Sequence, residues 1–257
     1  MKPAARRLLS GSLLSGAALS LAACAPAEES ETLTVFAAAS LHEVFGEIGD
    51  LYAEETGTEV EFSFGGSSDL VAQLEQGAPA DALVTADSLT MSQAQEAGLI
   101  DQTPQIFATN TLVLITPAGN PAGVEGLEDL EREEVVSVLC APQVPCGASS
   151  RRLMDSAGVA PAPASEEASV TDVLGKVRSG EADAGLVYST DARGAGDEVE
   201  TIRPEGAGEV VNHYPAAVLD SSGDPDAAER FLAYLALPEA QEVLREAGFR
   251  PAAEGTS

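Results

Sequence analysis

Histidine and cysteine, the side chains that most often bind transition metals, are scarce in this chain. Its 257 residues include two histidines, His42 and His213, and three cysteines. No Cys-x-x-Cys pair is present, so the ligand spacing of a zinc site is missing. Ferric sites usually recruit several tyrosine, histidine or carboxylate ligands, whereas the four tyrosines here are scattered along the sequence. We therefore expect no metal ion bound directly by side chains, and no cofactor.

Basic residues are also few. Lysine and arginine number 13 against 42 aspartate and glutamate, which gives a formal net charge of −29 at pH 7. Such a surface repels nucleic acid and anionic lipid headgroups, so neither is expected as a partner. A small anionic ligand is not excluded in the same way, because at physiological salt charges more than about 8 Å from a site are largely screened. Local hydrogen-bond donors would decide its binding.

The N-terminus has a short apolar run after a basic start. Residues 8–21 are interrupted by Ser and Gly and are too few to span a bilayer, and no later run reaches that length. They end in Leu-Ala-Ala-Cys (21–24), which resembles the lipobox of bacterial lipoproteins. This order predicts a signal peptide over 1–23, lipidation of Cys24, a tether over 24–31, and a protein held outside the cytoplasm at the cell membrane. Ordinary cleavage beside an incidental cysteine is the alternative.

The other two cysteines enclose the short segment Cys-Ala-Pro-Gln-Val-Pro-Cys, residues 140–146. In an oxidising compartment, cysteines this close form a disulfide more often than a metal site. A ring this small would stabilise the fold by roughly 2 kcal/mol on loop-closure arithmetic. The sequence therefore predicts a disulfide between Cys140 and Cys146.

Strand and helix patterns alternate along the remainder of the chain. Strand patterns cover 32–37, 59–64, 82–85, 111–116, 135–139, 185–188 and 215–219. Helix patterns cover 40–56, 67–77, 88–97, 147–156, 171–179, 226–235 and 238–247. Repeated strand–helix units predict an α/β fold, with mostly parallel sheets flanked by helices. In such folds ligands bind beyond the carboxyl ends of strands, against the first turns of helices.

Four strand-to-helix junctions are rich in small and hydroxyl residues, namely 37–40, 65–68, 146–149 and 169–171. A helix N-terminus presents unpaired N–H groups and the positive end of the helix dipole, which together favour an anion. Ser40 and Ser67 would each add a hydroxyl donor there. Each serine is also compatible with an ordinary helix cap, and Ser40 with Glu43 has the spacing of a capping box.

Seven short motifs resemble, in order and spacing, the molybdate-binding proteins of bacterial ABC transporters, which are periplasmic binding proteins. They are VFAAASL (35–41), SFGGSSDL (63–70), GAPADALVTAD (77–87), VPCG (144–147), GLVYSTDA (185–192), YPAAV (214–218) and AGF (247–249). The resemblance implies a two-lobed fold with the ligand cleft between the lobes. Lobe 1 would comprise 32–112 with 213–257, and lobe 2 would comprise 113–212.

In that family neutral donors alone hold the oxyanion. Carried over by motif, the donors are the hydroxyls of Ser40, Ser67 and Tyr188 and the backbone amides of Cys146 and Val170. The family usually has alanine where Cys146 stands, but an amide donor tolerates a changed side chain. A Cys140–Cys146 disulfide would brace the loop that presents this amide and lower the ordering cost of binding.

The resemblance implies a non-enzymatic protein that captures molybdate and tungstate for an ABC importer. Its partners would be a membrane permease with a cytoplasmic ATPase, and it would act as a monomer. One alternative is the same fold with another ligand, such as sulfate, phosphate or a ferric complex. The other is a serine hydrolase, which the sequence disfavours: Ser40 and His42 are two residues apart on a helix start and do not face each other, and no Gly-x-Ser-x-Gly motif occurs.

Arg151 and Arg152 follow two serines early in the helix after Cys146. They could approach the cleft as counter-charges to an anion. A surface ion pair is the interpretation that we prefer for them in so acidic a protein.

Overall fold

A computed structural model describes residues 32–252. The predicted signal peptide, the lipidated Cys24 and the tether lie outside the described residues. The strands are β1 (Thr32–Ala38), β2 (Glu59–Gly65), β3 (Ala82–Val84), β4 (Gln105–Pro117), β5 (Ser137–Cys140), β6 (Ser165–Glu167), β7 (Ala184–Tyr188), β8 (Val199–Ile202), β9 (Val211–Val218) and β10 (Arg250–Pro251). The α-helices are α1 (His42–Thr56), α2 (Ser67–Glu75), α3 (Ser88–Glu96), α4 (Pro145–Ala157), α5 (Val170–Arg178), α6 (Ser189–Ala195), α7 (Pro225–Tyr234) and α8 (Pro238–Ala247).

The strands form one continuous sheet in the order β2-β1-β3-β9-β4-β7-β5-β6, and β8 and β10 also pair with β4. At both ends of the sheet the neighbours are parallel, as β1 is with β2 and β3, and β5 with β6 and β7. In the middle, β4 and β9 run antiparallel to each other and to the strands beside them. The α/β architecture is confirmed, and the sheet is mixed because these two strands run opposite to the strand–helix units on either side.

Strand β4 is long enough to serve both ends of the sheet. Its residues 105–111 pair with β9, and its residues 112–117 pair with β7 and β8. The sequence pattern predicted only 111–116, because the first half of β4 includes the buried polar residues Thr109 and Asn110. Likewise β9 begins at Val211, before the predicted 215, and includes the buried Asn212.

Ser40 does not cap a helix, so the predicted capping box with Glu43 is wrong. A single 3-10 turn (Ala39–Leu41) follows β1, and α1 begins after it at His42 without a side-chain cap. The Ser40 hydroxyl instead lies 3.0 Å from the hydroxyl of Tyr214 on β9. A hydroxyl bonded across the fold is no longer free to cap its own helix.

Three other helices begin earlier than, or differently from, the predictions. Ser67 is the first residue of α2 rather than its cap, and the helix has no side-chain cap at Gly66. Helix α4 begins at Pro145 instead of 147, since proline has a helical φ and lacks an N–H group that would be unpaired there. Helix α5 begins at Val170, and the side chain of Ser169 caps it by accepting a hydrogen bond from the Asp172 amide.

The core follows the sheet from end to end. An aromatic group packs α1 and α7 onto β2, with the ring of Phe231 5.2 Å from Tyr52, 5.9 Å from Phe62 and 6.3 Å from Phe45. A second cluster, which includes Leu70, packs α2 and α3 against the other face. Each such buried side chain contributes about 1.5–3 kcal/mol through removal of apolar surface from water. Between residues 32 and 252, no helix has the length and apolarity needed to cross a membrane.

A half-buried carboxyl group lies at the start of α6. Asp191 Oδ2 accepts a hydrogen bond of 3.0 Å from the backbone N–H of Tyr188. Burial raises the pKa of Asp191 from 3.8 to about 8; the hydrogen bond from Tyr188 acts in the opposite direction, and the charge of Glu43 adds to the increase. The folded protein therefore holds this proton at pH values where the unfolded chain has released it.

Replacement of Asp191 by asparagine should flatten the dependence of stability on pH. Between about pH 4 and 8 the folded state binds one proton more than the unfolded state, so the free energy of unfolding falls as pH rises, by at most about 1.4 kcal/mol per pH unit. Urea unfolding of the unaltered protein and of Asp191→Asn at pH 5 and pH 8 measures this difference. The exposed Asp197→Asn variant should keep the original slope, and an equal slope in all three proteins would show that Asp191 stays ionised.

Candidate anion-binding site

All five residues predicted to bind an anion line one cavity, at the carboxyl ends of β1, β2 and β7. The cavity is lined by Ala38, Ala39, Ser40, Gly65, Gly66, Ser67, Ala86, Val144, Pro145, Cys146, Ala168, Ser169, Val170 and Tyr188. None of these side chains is charged. The volume of the cavity is about 20 Å³. By the same measure, one water molecule needs roughly 10–15 Å³. The arrangement therefore suits a single compact ligand, and the binding role of the five residues remains a prediction.

Four helical segments begin at this cavity. They are the 3-10 turn that leads into α1 at Ala39, α2 at Ser67, α4 at Pro145 and α5 at Val170. The first N–H groups of a helix have no partner within it, and aligned peptide dipoles place roughly half a positive charge there. Cys146 is the second residue of α4 and Val170 is the first of α5, so both predicted amide donors belong to this class. The four N-termini make the cavity electropositive without a cationic side chain.

The Ser67 hydroxyl is held from behind. Ser67 is 2% exposed, and its Oγ accepts a hydrogen bond of 3.1 Å from the backbone N–H of Ala86. Because this bond uses a lone pair of the oxygen, the hydroxyl proton remains available to the cavity. Ser40 is partly exposed, and its Oγ is 3.0 Å from Tyr214 Oη.

The Tyr188 hydroxyl is also a protonated group supported from behind. Tyr188 is 1% exposed, and its Oη accepts a hydrogen bond of 3.0 Å from Asn212 Nδ2. Burial raises the pKa of Tyr188 well above its usual value, and the charges of Tyr214 and Asp87 add to the increase. The group therefore keeps its proton at physiological pH and can donate it to a ligand.

Within residues 32–252, Arg152 does not form the surface ion pair that we expected. Its guanidinium donates a hydrogen bond of 2.8 Å to the hydroxyl of buried Ser149, which donates one of 2.7 Å to Asn212 Oδ1. Arg152 thus acts on the cavity through two intermediate side chains instead of lining it. Arg151, its neighbour, is exposed.

The loop before α4 is short and tightly packed. The structure pairs Cys140 with Cys146 as a disulfide, with Cα atoms 5.7 Å apart. At Gly147 an added Cβ would lie 1.9 Å from the carbonyl oxygen of Ala141, so α4 packs directly on this loop. The position of the Cys146 amide therefore depends on the conformation of residues 140–146.

Three buried polar residues behind the cavity were missed by the sequence reasoning. Asn110, Asn212 and Tyr214 are at most 2% exposed. Asn212 bonds to Tyr188 and Tyr214 bonds to Ser40, whereas Asn110 bonds to Ser189 and Thr190, which follow Tyr188 in the chain. The available signal was the position of the two asparagines in the sequence. Asn110 stands directly before the apolar strand predicted at 111–116, and Asn212 stands shortly before the strand predicted at 215–219. A buried amide in such a position must be hydrogen-bonded, and its partners are candidates for a site.

Comparison with known proteins places the chain in a family. The model of the family described as bacterial extracellular solute-binding protein matches residues 33–250. Molybdate-binding protein ModA of Mycobacterium tuberculosis is 44% identical over 226 residues, which cover 87% of this chain and 86% of that protein. Molybdate-binding protein ModA of Escherichia coli is 32% identical over 249 residues, covering 92% of this chain and 96% of that one.

Among solved structures, the periplasmic molybdate-binding protein of Azotobacter vinelandii has the same fold. It superimposes with a TM-score of 0.73 at 21% identity, covering 86% of this chain and 99% of that one. By family match, sequence identity and fold, the chain belongs to the bacterial extracellular solute-binding proteins.

Proposed function

We propose that the protein captures molybdate, and tungstate with it, for an ABC importer. The observation that supports this best is the convergence of Ser40, Ser67, Tyr188, Cys146 and Val170 on one small cavity without a charged lining residue. Relatives at 44% and 32% identity that are named as molybdate-binding proteins favour this ligand over others. The three hydroxyls and two amides would be its donors.

The chemistry of the lining favours a fully deprotonated tetrahedral dianion. Such an ion can accept a hydrogen bond from every donor around it. Hydrogen phosphate has an O–H group of its own, and an unmatched donor would cost about 1–3 kcal/mol. Sulfate has the charge of molybdate but is smaller, so only the size of the cavity would discriminate against it. Molybdate and tungstate are nearly equal in size and should bind alike.

A hydrolytic role finds no support in the geometry. The hydroxyls of Ser40 and Ser67 bond to a tyrosine and to a backbone amide, not to a histidine. The ring of His42 packs against Phe64, with ring centroids 4.8 Å apart. In the part of the chain that the structure covers, no group of three or more His, Cys, Asp or Glu side chains could hold a metal ion.

Molybdate and tungstate should stabilise the protein, whereas phosphate should not. A ligand at 100 times its Kd adds about 2.7 kcal/mol to the free energy of unfolding, which is a rise in Tm of roughly 5–10 °C for a chain of this size. Ser67→Ala should raise the Kd for molybdate about tenfold to a hundredfold, because a bond to a charged group is worth roughly 1.5–3 kcal/mol. Thermal shift and calorimetry measure both effects.

Ser92→Ala is the matched control, because the Ser92 hydroxyl bonds only within α3, to the carbonyl of Ser88. It should leave the Kd unchanged. A response to sulfate as strong as that to molybdate would retain the oxyanion class and reject molybdate selectivity. No response to molybdate at micromolar concentration would reject the proposed function.

We also propose that residues 32–112 with 213–257 form one lobe and 113–212 the other, and that they close over the ligand. The pairing of β4 changes from β9 to β7 and β8 between residues 111 and 112, which supports a boundary there. Two contacts would then lie across the cleft. Ser68 Oγ donates a hydrogen bond of 2.9 Å to the carbonyl of Gln143, and Gly66 lies against the carbonyl of Ala168.

Gly66→Ala should hinder closure and weaken binding. A Cβ at residue 66 would lie 2.3 Å from the carbonyl oxygen of Ala168, so the two segments could not approach as closely. We expect a tenfold or greater rise in Kd with little loss of stability in the unliganded protein, measured by calorimetry and thermal unfolding. Gly46→Ala in α1 is the control, because an added Cβ there meets nothing within 4 Å. Equal affinity in both variants would contradict the assignment of this contact to closure.

We propose that the Cys140–Cys146 pair is oxidised in the exported protein and braces the loop that presents the Cys146 amide. A double change to alanine retains the amide and removes the brace. Tm should fall, by an amount that corresponds to roughly 2 kcal/mol, and the Kd for molybdate should rise several-fold because the loop must be ordered on binding. Reduction of the unaltered protein should reproduce both effects and leave the double variant unaffected. Unchanged Tm and Kd would contradict the brace.

The location and partners follow from the same proposal. The sequence at 21–24 supports export and lipidation of Cys24, which would hold the protein at the outer face of the cell membrane. Capture by a tethered monomer would then feed a membrane permease with its cytoplasmic ATPase. The acidic surface argues against nucleic acid as a further partner.

A further inference from the structure

We propose that Asn212 is a positioning residue that makes the hydroxyl of Tyr188 an obligatory donor, and that it thereby contributes to the discrimination against protonated oxyanions. The proposal rests on the proposed function and adds to it a group that decides the proton count of the ligand. Asn212 itself does not line the cavity.

The two asparagines form a pair at the centre of the sheet. Asn110 on β4 and Asn212 on β9 are direct cross-strand partners and are 2% and 1% exposed. A buried amide without hydrogen bonds is costly, so each must find fixed partners. The partners of Asn212 include Ala86 and Tyr188, which both line the cavity.

The orientation of the Asn212 amide is determined by groups that have only one possible role. Its Nδ2 lies 3.0 Å from the carbonyl oxygen of Ala86, which can only accept, and 3.0 Å from Tyr188 Oη. Its Oδ1 accepts from Ser149, whose oxygen in turn accepts from Arg152, a group that can only donate. Every proton in this series of hydrogen bonds thus has an assigned direction, and the Tyr188 proton is left for the cavity.

Asn110 bonds to residues that do not line the cavity. Its Oδ1 accepts from the backbone N–H of Thr111 at 2.9 Å, and its Nδ2 donates to Thr190 Oγ1 at 2.8 Å. Asn212 is therefore the member of the pair that contacts a cavity hydroxyl.

The consequence is a Tyr188 hydroxyl that offers its proton to the cavity. A hydroxyl that could rotate would adapt to hydrogen phosphate by accepting its O–H, and selectivity would be lost. Asn212 opposes this rotation, because the turned hydroxyl would point its proton at the N–H group that Asn212 donates. Removal of Asn212 should therefore change the ratio of affinities between oxyanions, beyond any general loss of binding.

The test compares molybdate with phosphate, by calorimetry at pH 6 and pH 8, in the mature full-length protein. For Asn212→Ala we expect a roughly tenfold rise in the Kd for molybdate with no rise for phosphate. The ratio of the phosphate Kd to the molybdate Kd should therefore fall about tenfold. The fall should be larger at pH 6, where phosphate has one proton more than at pH 8. An equal loss for both anions would reduce Asn212 to a purely structural role and overturn the proposal.

Three further variants isolate the mechanism. Asn120→Ala removes an asparagine whose side chain bonds only to the backbone of Val124 and does not line the cavity, and it should leave the ratio unchanged. Tyr188→Phe has no hydroxyl to rotate, so adding Asn212→Ala to it should not narrow the ratio further; a further narrowing would contradict the proposal. If the Asn212→Ala variant fails to fold, Arg152→Met removes the donor at the surface end of the same hydrogen-bond network. Arg151→Met controls for the lost charge. If Arg152→Met and Arg151→Met had the same ratio of Kd values for the two anions, the role of the hydrogen-bond network would be overturned.

Failure of the proposed function has a different signature. If the unaltered protein does not bind molybdate, the same ratio is measured between sulfate, which lacks a proton, and phosphate. A ratio that narrows in Asn212→Ala would then support the proton rule for another oxyanion. The absence of any oxyanion binding would overturn both proposals.

Discussion

The antiparallel pairing of β4 with β9 positions every part of the cavity. Ser40, Ser67 and Ala86 belong to the end of the sheet that β9 joins through β3, whereas Cys146, Val170 and Tyr188 belong to the end that β4 joins through β7. A shift of one residue between β4 and β9 would turn Asn110 and Asn212 to the opposite face of the sheet and separate them from these groups. Since a buried amide without partners is costly, the hydrogen bonds of the asparagines also oppose such a shift. Register and site geometry are thus maintained by the same contacts.

The charge of the surface and the charge of the cavity follow different rules here. The chain is strongly acidic as a whole, yet the cavity lining is neutral, and four helical segments begin at it. Surface carboxylates act through water and salt, whereas the helix dipoles act over a few ångströms inside the fold. The nearest cation in the hydrogen-bond network, Arg152, reaches the cavity only through Ser149 and Asn212.

The lining of the cavity could be predicted from sequence to a large extent, because it belongs to junctions where a buried strand gives way to a helix. Ser67 and Val170 stand at such junctions, and local pattern with the family resemblance located both. The role of Ser40 was harder, since its hydroxyl bonds to Tyr214 on a strand distant in sequence and does not cap its own helix. The supporting layer could not be found in this way. Asn110 and Asn212 are polar residues where apolar periodicity ends, and only the long-range pairing of β4 with β9 shows that they are buried together.

A cavity lined by neutral groups has a consequence for release. Where a buried anion is balanced by a lysine or arginine, its departure leaves an unpaired charge that needs a counter-ion or a proton exchange. Here the departing ion would leave hydroxyls and amides, and water can satisfy each of them as the cleft opens. The empty protein would then return to its starting state without taking up another ion, and release would not depend on the supply of counter-ions around the cell.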